Sequence, residues 1–587
     1  MRSATGGPAG DAGVVVGVDL RGIQAYVYSG QRVLDAVGRA AQVESFTRTD
    51  GPDGVGDLLG EEVRAVLRDA GGALSVDFAE QAAAREFVAR YTRRLRDRAD
   101  DLVPVVAFVP YGPGEEAPDF VSAYRSLPDR LRRARARHSA AHAPARGYGI
   151  TAVCSVSGRP AEVVDRSRDV GTGGERVSAD VARARRVGRE WHRRLNRRLL
   201  AGLRAPDGSA LELPTEIDQL GRDLGERSRV AVVHLDFNGM GERLGGYDRR
   251  LAGVPGSRES VRAQRKLSRT IAALTDGLAR DLVRGVAEAV TVDGLGRPGV
   301  RGSGAGGTVS LPKEDGRIRV PVRPIVVAGD DLTLVCDARL AFSLVRRAFE
   351  WLDADPRRLD PRDVRARTHR AWLALVDGDE ETALALAGEK ELGWARSAGF
   401  EEDGHTTLVP TVGAGVAVQP VGAPLVLGYR VSEALCAEAK RARRRWLAEE
   451  GGDDHAVAWT LRLDGADRAV RRLREAEGTG GRSEQPWDGW GFVDFLDRYL
   501  SAEREGSLRW GDNAAQRSWF RSALVPLLQR GGDLEAELQR RARGRGARIR
   551  LPEDRTPGGL LDAVELLDLH LDVPLGRTGE GAPDGRA

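Results

Sequence analysis

The chain alternates short β-branched apolar runs with longer segments in which apolar residues recur every three or four positions. Residues 14–19 (VVVGVD), 103–109 (VPVVAFV), 229–236 (RVAVVHLD) and 408–419 (LVPTVGAGVAVQ) are of the first kind and predict buried strands. Residues 32–46, 79–98, 257–289, 341–352 and 432–449 are of the second kind and predict helices. Residues 71–78 (GGALSVDF) read as part of a hairpin. Residues 320–327 and 331–336, joined through Gly329-Asp330, read as another. The order strand, helix, hairpin, helix, strand thus occurs twice. It predicts an α+β fold with two ferredoxin-like units and an internal duplication.

Other stretches break this pattern. Residues 111–228 carry long Arg-rich helices and a loop at 165–176, and read as a helical linker domain. Residues 293–317 are Gly-rich and read as a mobile insertion. Residues 376–405 are poorly patterned, a further insertion. From 453 the chain starts with an alternating stretch (AVAWTLRLD) and is expected to be helical through 487–543, with Trp487 and Trp490 packed inside. The expected division is 1–12 disordered, 13–110 first α+β domain, 111–228 linker, 229–465 second α+β domain, 466–573 helical domain and 574–587 disordered tail.

Composition narrows the class. Of 587 residues, 41% are apolar and 30% charged, with a net charge of +3. Such a chain can bury several cores, and its near neutrality does not mark it as a nucleic-acid binder. No run of eighteen apolar residues occurs, so no membrane partner is expected, and the first residues lack an apolar signal region. Cys154, Cys336 and Cys436 are too scattered for a disulfide framework or a zinc site. The expected location is cytoplasmic. Only four of the 90 basic residues are lysines (Lys266, Lys313, Lys390, Lys440), so a retained lysine hints at a need for a compact ammonium.

The strongest chemical constellation is Asp236 with Asp330 and Asp331. Asp236 ends an apolar strand and precedes FNGMG; the Asp pair sits at a hairpin tip in VVAGDDLTLV. Convergence at one sheet edge would give hard oxygen ligands for two Mg²⁺ or Mn²⁺ ions in phosphoryl transfer. Gly239 and Gly241 would let a triphosphate approach bare backbone. Each motif alone is also what a solvated turn or a helix cap looks like.

Strand-DFNGMG followed by strand-AGDD-strand resembles the palm domain shared by GGDEF-type cyclases and the large subunit of type III CRISPR effector complexes. The second resemblance is broader. VDLRGIQAYVYSG is similar to that family's opening strand and glycine-isoleucine-glutamine segment, and GGALSVDF to the hairpin of its first, degenerate palm. GYGITAVCSVSGRPAEVV resembles its zinc-linker segment and GERVSADVARARRVG the segment that follows. PTVGAGVAVQPVGAPLVLGYRVSEALCAEAKRARR resembles the end of its second palm. The likeness runs from about residue 13 to about 465.

This resemblance implies an ATP-consuming nucleotidyltransferase that makes cyclic or linear oligoadenylate second messengers in antiviral defence. Asp236, Asp330 and Asp331 would be catalytic and hold the metals, joined by the carbonyl of Phe237. Asn238, Gly239, Gly241 and Gly329 would lie beside the nucleotide, and Lys440 would meet the triphosphate. The implied partners are ATP or other nucleoside triphosphates, RNA or other CRISPR-type subunits, and a second copy of the chain.

The departures carry expectations too. Gly71-Gly72-Ala73 has no Asp pair, so the first palm should bind no metal. Ser157 stands where a second zinc cysteine would, so no zinc is expected. No His-Asp dipeptide occurs, so HD-type DNA cleavage is not expected, and Ala328 replaces a usual glycine. Two alternatives stay open: a non-catalytic scaffold subunit of an RNA-guided complex, and a GGDEF-type dinucleotide cyclase using GTP. The arginine-rich stretches 130–138 and 540–550 read as solvated faces.

Overall fold

Two β-sheets with the same strand order organise the chain. The first is built from β1 (Gly13–Arg21), the helices α1 (Ile23–Tyr28) and α2 (Val33–Thr47), β2 (Val63–Ala70), β3 (Ala73–Phe78), α3 (Gln81–Arg98) and β4 (Val103–Tyr111). Its strands lie in the order β2-β3-β1-β4, antiparallel throughout. The β2–β3 turn is made by Gly71 and Gly72, both at positive φ (63° and 75°), which a tight hairpin of matching twist demands. The computed structural model describes residues 12–575 except 31, 51–53, 100–101, 114–116, 139–148, 167–172, 221–227, 241–257, 304–306, 355–362, 364, 366–409, 451–453, 477–482 and 546–548. The expected insertion at 376–405 and nearly all of both expected disordered ends lie outside the described residues.

Next come α4 (Phe120–His138), β5 (Val163–Asp165), β6 (Glu175–Val177), α5 (Ala179–Leu199) and β7 (Ala210–Glu212). The ends of the expected 165–176 loop are held by pairing of β5 with β6. Helices α2 and α5 cross at two glycines. A Cβ on Gly38 would stand 1.9 Å from the Ala184 carbonyl oxygen, and one on Gly188 2.5 Å from that of Leu34. Beside this crossing the buried Arg185 donates from Nε to Asp35 on α2 (2.9 Å), which ties the linker helix to the first sheet's helix, and from Nη1 to Asp165 on β5 (2.7 Å) and Glu175 on β6 (2.9 Å).

The second sheet starts at β8 (Arg229–Phe237) and is followed by α6 (Arg258–Glu288). Five short strands come next: β9 (Val290–Val292), β10 (Pro298–Arg301), β11 (Thr308–Ser310), β12 (Lys313–Glu314) and β13 (Arg317–Arg319). The main sheet resumes with β14 (Val322–Ala328), β15 (Asp331–Asp337), α7 (Ala341–Asp353), β16 (Val412–Pro420), α8 (Leu425–Glu450), β17 (Ala456–Thr460), α9 (Ala466–Ala476) and β18 (Trp487–Asp488). The strand order is β14-β15-β8-β16-β17-β18, and its first four members repeat the order of the first sheet. The whole is mixed α+β. Strand β8 is apolar from Val230 to Val233 and buried on both of its faces from Val230 to Leu235.

Two expectations are corrected. The described residues of the glycine-rich 293–317 segment form strands: β10 and β11 join β9 in a three-stranded sheet, and β12 and β13 join β7 in another. Gly296, Gly307 and Gly316 sit at positive φ (75°, 87° and 72°), so these glycines serve turns between strands, and Val300 and Val309 are fully buried. Nor is 487–543 simply helical. Trp487 pairs with Val457 as part of β18. Short helices follow, among them α10 (Gly489–Phe495), α11 (Val525–Gln529) and α12 (Leu534–Arg545), before α13 (Pro557–Leu566). Trp487 packs on Phe495 with ring centroids 4.8 Å apart, but Trp490 is 70% exposed. On α10 the inward positions are Gly489, Phe492 and Phe495, and Trp490 falls on the opposite side.

Helix α6 bridges the sheets. Arg265 donates from Nε (2.7 Å) and Nη2 (2.6 Å) to the two oxygens of Asp69 on β2. Burial alone would raise the Asp69 carboxyl, but Arg265, Thr49 and Arg269 hold it at about 2.

The tightest contact on the second sheet is between β16 and α8. A Cβ on Gly415 would lie 1.9 Å from the Ser432 carbonyl oxygen and 2.6 Å from the Cys436 nitrogen, both backbone atoms. Gly415→Ala should therefore lower stability by about 1–3 kcal/mol or more, as overpacking does. Urea denaturation would register this as a lower midpoint with an unchanged slope.

Candidate functional site

Register brings the acidic residues together. In the β15–β8 ladder Asp331 stands opposite Asp236, and in the β16–β8 ladder Asp236 stands opposite Gly413. Side chains alternate along a strand, so His234, Asp236, Asp331, Thr333, Gly413 and Gly415 share one face. Helix α8 runs over that face, presenting Ser432, Cys436 and Lys440 at intervals of four residues, one side of a helix. Asp330 occupies the hairpin turn beside Asp331, and its carbonyl accepts from the Phe237 nitrogen (3.3 Å). Asp236, Asp330 and Asp331 each place one carboxylate oxygen within 4.8 Å of the others.

Several contacts hold this corner in shape. The Asn238 backbone nitrogen donates to the Thr411 carbonyl (2.8 Å), and its Nδ2 donates to Thr411 Oγ1 (3.0 Å). Asn238 Oδ1 is buried and has no partner among the described residues. Thr275 Oγ1, on α6, donates to the Gly329 carbonyl (2.6 Å) and pins the turn. Gly239 and Gly329 adopt φ of 67° and 60°, the left-handed region that glycine enters without strain. Among the described residues nothing lies within 4 Å of where a Cβ on Gly329 would be. Lys440 Nζ donates to the Phe237 carbonyl (2.8 Å) and pairs with Asp236.

The electrostatics follow from this crowding. At an effective dielectric of about 20, two unit charges 4.8 Å apart repel by about 3–4 kcal/mol. Burial, and then the charges of Asp236 and Asp330, push the Asp331 carboxyl up to about 7. The Asp330 carboxyl is raised as well, by burial first and then by Asp236, with Lys440 and Arg68 opposing. Behind the acidic corner, burial and then Lys440 depress the His234 imidazole to about 4, so it is neutral, and its Nδ1 lies 2.9 Å from Thr333 Oγ1.

The first sheet's α1 reaches this site. Tyr28 stacks on Tyr429 with centroids 4.0 Å apart, and Tyr429 meets the His234 ring edge-on at 5.7 Å. Glu433 accepts from Tyr429 (3.2 Å) and from Gln24. Sequence reasoning brought Asp236, Phe237, Asn238, Gly239, Gly329, Asp330, Asp331 and Lys440 to one place, and the structure has them there. Gly241 lies outside the described residues. Sequence reasoning missed Thr275, Thr411, Tyr28, Tyr429, Gln24 and Glu433. Gln24, Tyr28, Thr411, Tyr429 and Glu433 all lie in segments that carry the family likeness, but lone Thr, Tyr, Gln and Glu residues have no spacing signal that marks them individually. Cys154 of the zinc-like segment is buried, and its sulfur accepts from the Ser157 nitrogen (3.3 Å).

No protein-family model matches the chain, and no curated protein matches it. Among solved structures it is similar to the apo Csm1–Csm4 cassette, with a TM-score of 0.45 and 13% identity over 97% of this chain and 72% of that chain. The cassette in complex with cA3 gives 0.45 and 13%, over 97% and 71%. The complex with AMPPNP gives 0.45 and 14%, over 96% and 70%. A further neighbour is the Csm1–Csm4 subcomplex of the type III-A CRISPR-Csm interference complex, at 0.43 and 12% over 95% and 70%. No described helix is long and apolar enough to cross a membrane.

A carboxyl whose proton affinity is higher folded than unfolded stabilises the fold at low pH and loses that stabilisation as pH rises. For Asp331 the window runs from its ordinary 3.8 to about 7. In metal-free protein Asp331→Asn should therefore raise the melting temperature at pH 8, and the gain should vanish by pH 4. Thermal unfolding of both proteins across that range in chelator checks it, and a gain independent of pH would contradict the assignment.

Proposed function

We propose that the chain is a metal-dependent nucleotidyltransferase that joins nucleoside triphosphates, ATP foremost, into cyclic or linear oligonucleotides, through a palm-type site at the β8–β15 corner. The observation that carries this reading is the meeting of Asp236, Asp330 and Asp331, side by side with Lys440 and two left-handed glycines, Gly239 and Gly329. The donor set fits Mg²⁺ or Mn²⁺: three carboxylates and the Phe237 carbonyl are all hard oxygens. A carboxyl pushed up to about 7 is one that a proton or a cation must neutralise. When bound, such an ion would lower the cost of charge on the phosphoryl oxygens and acidify an attacking hydroxyl.

The chain's own residues supply the rest. Asp236 and Asp331 are fixed by facing strands, so little reorganisation is needed to hold charge at this point. Gly239 and Gly329 offer backbone without side chains where phosphates would approach. Asn238, clamped to Thr411, fixes the peptide that carries the Phe237 carbonyl, and its unpartnered Oδ1 is left for a donor on the ligand. Lys440 brings a compact positive charge to the triphosphate side. The reaction would be attack of a 3′-hydroxyl on an α-phosphate with pyrophosphate leaving, driven by positioning and electrostatics. No protein nucleophile is required. A role in antiviral signalling, with RNA or CRISPR-type subunits as partners, belongs to the same reading.

Purified chain with Mg²⁺ or Mn²⁺ and single nucleoside triphosphates, with and without added RNA, should release pyrophosphate. Asp330→Ala/Asp331→Ala should cut turnover by at least about 100-fold. Equal turnover in the two proteins would reject the site. Absence of pyrophosphate under every condition would favour a scaffold, and strict GTP dependence a dinucleotide cyclase.

A further inference from the structure

Lys440 stands where a cation at this corner would stand. Its ammonium donates to the Phe237 carbonyl at 2.8 Å and pairs with Asp236, two of the four oxygens that the proposed function assigns to a metal. The placement is built into the fold. The lysine stem crosses the sheet face over Gly413, directly opposite Asp236 in register. A Cβ on Gly413 would lie 2.5 Å from Lys440 Cγ and 3.3 Å from Cε. Glycine at 413 therefore opens the groove through which the stem reaches the acidic residues. An ammonium held by these two oxygens takes the place, and supplies the charge, that a divalent ion seated between them would take.

Resting on the reading of this corner as a metal site, we propose that Lys440 is its resident counter-ion, which a divalent cation must displace in order to bind. The ammonium remains on the chain, so the exchange needs somewhere for it to go. An anionic triphosphate arriving at the same face is such an acceptor. Metal loading and nucleotide arrival are then coupled, and the nucleotide-free protein holds metal weakly. If the lysine-engaged state leaves about a tenth of the molecules competent, metal affinity falls about tenfold.

Mn²⁺ titration followed by electron paramagnetic resonance, on full-length protein without nucleotide, tests this. Lys440→Met should bind Mn²⁺ at least about tenfold more tightly than wild type, and Mg²⁺ should raise its melting temperature more. Lys440→Gln, which keeps a neutral donor, should show the same direction and serves if the methionine variant fails to fold. Equal or weaker Mn²⁺ binding in the variants, with binding lost in Asp331→Asn, would overturn the counter-ion role and leave the metal site standing. Absence of Mn²⁺ binding in wild type and variants alike would overturn both.

Discussion

The constraint on which the site depends is the position of β8 between β15 and β16. Its register sets Asp236 against Asp331 on one side and against Gly413 on the other. A slip of one residue would turn Asp236 to the opposite face, among Leu235 and its buried neighbours. Such a slip is opposed because the strand is packed on both faces, so Asp236 would become a buried charge with no cation beside it. A site that concentrates negative charge is thus held in place by a strand whose hydrophobic ladder fixes the charges' positions.

The same face shows how backbone proximity substitutes for side-chain bulk. Gly413 and Gly415 let α8 lie close against the sheet, and this closeness brings Cys436 and Lys440 over the acidic residues. The cost is electrostatic and local: Asp330 and Asp331 are both harder to ionise than ordinary carboxyls. Functional corners commonly carry such strain, compensated by the packing that surrounds them.

Comparison of the two sheets separates scaffold from chemistry. Both have the same strand order, yet the hairpin that carries Asp330 and Asp331 in one carries Gly71 and Gly72 in the other. The first sheet contributes through its neighbours instead. Helix α1 stacks Tyr28 on Tyr429, and Asp69 on β2 anchors α6, the helix that pins the Gly329 turn through Thr275.

The sequence by itself determined the central strands of the two main sheets, their order of appearance and the acidic trio. Continuous β-branched runs and an Asp pair at a hairpin tip are local signals, legible without coordinates. Lys440 was legible too, because one lysine among arginines is a compositional anomaly. The structure alone decided that the described residues of 293–317 form strands, since glycines at turns and glycines in loose loops look alike in a string. It alone decided that Trp490 faces solvent, since the direction of a side chain depends on where a helix starts. And it alone joined Thr275, Thr411, Tyr28 and Gly413 to the site, because contacts between residues far apart in the chain are set by packing and leave no pattern in the neighbouring residues.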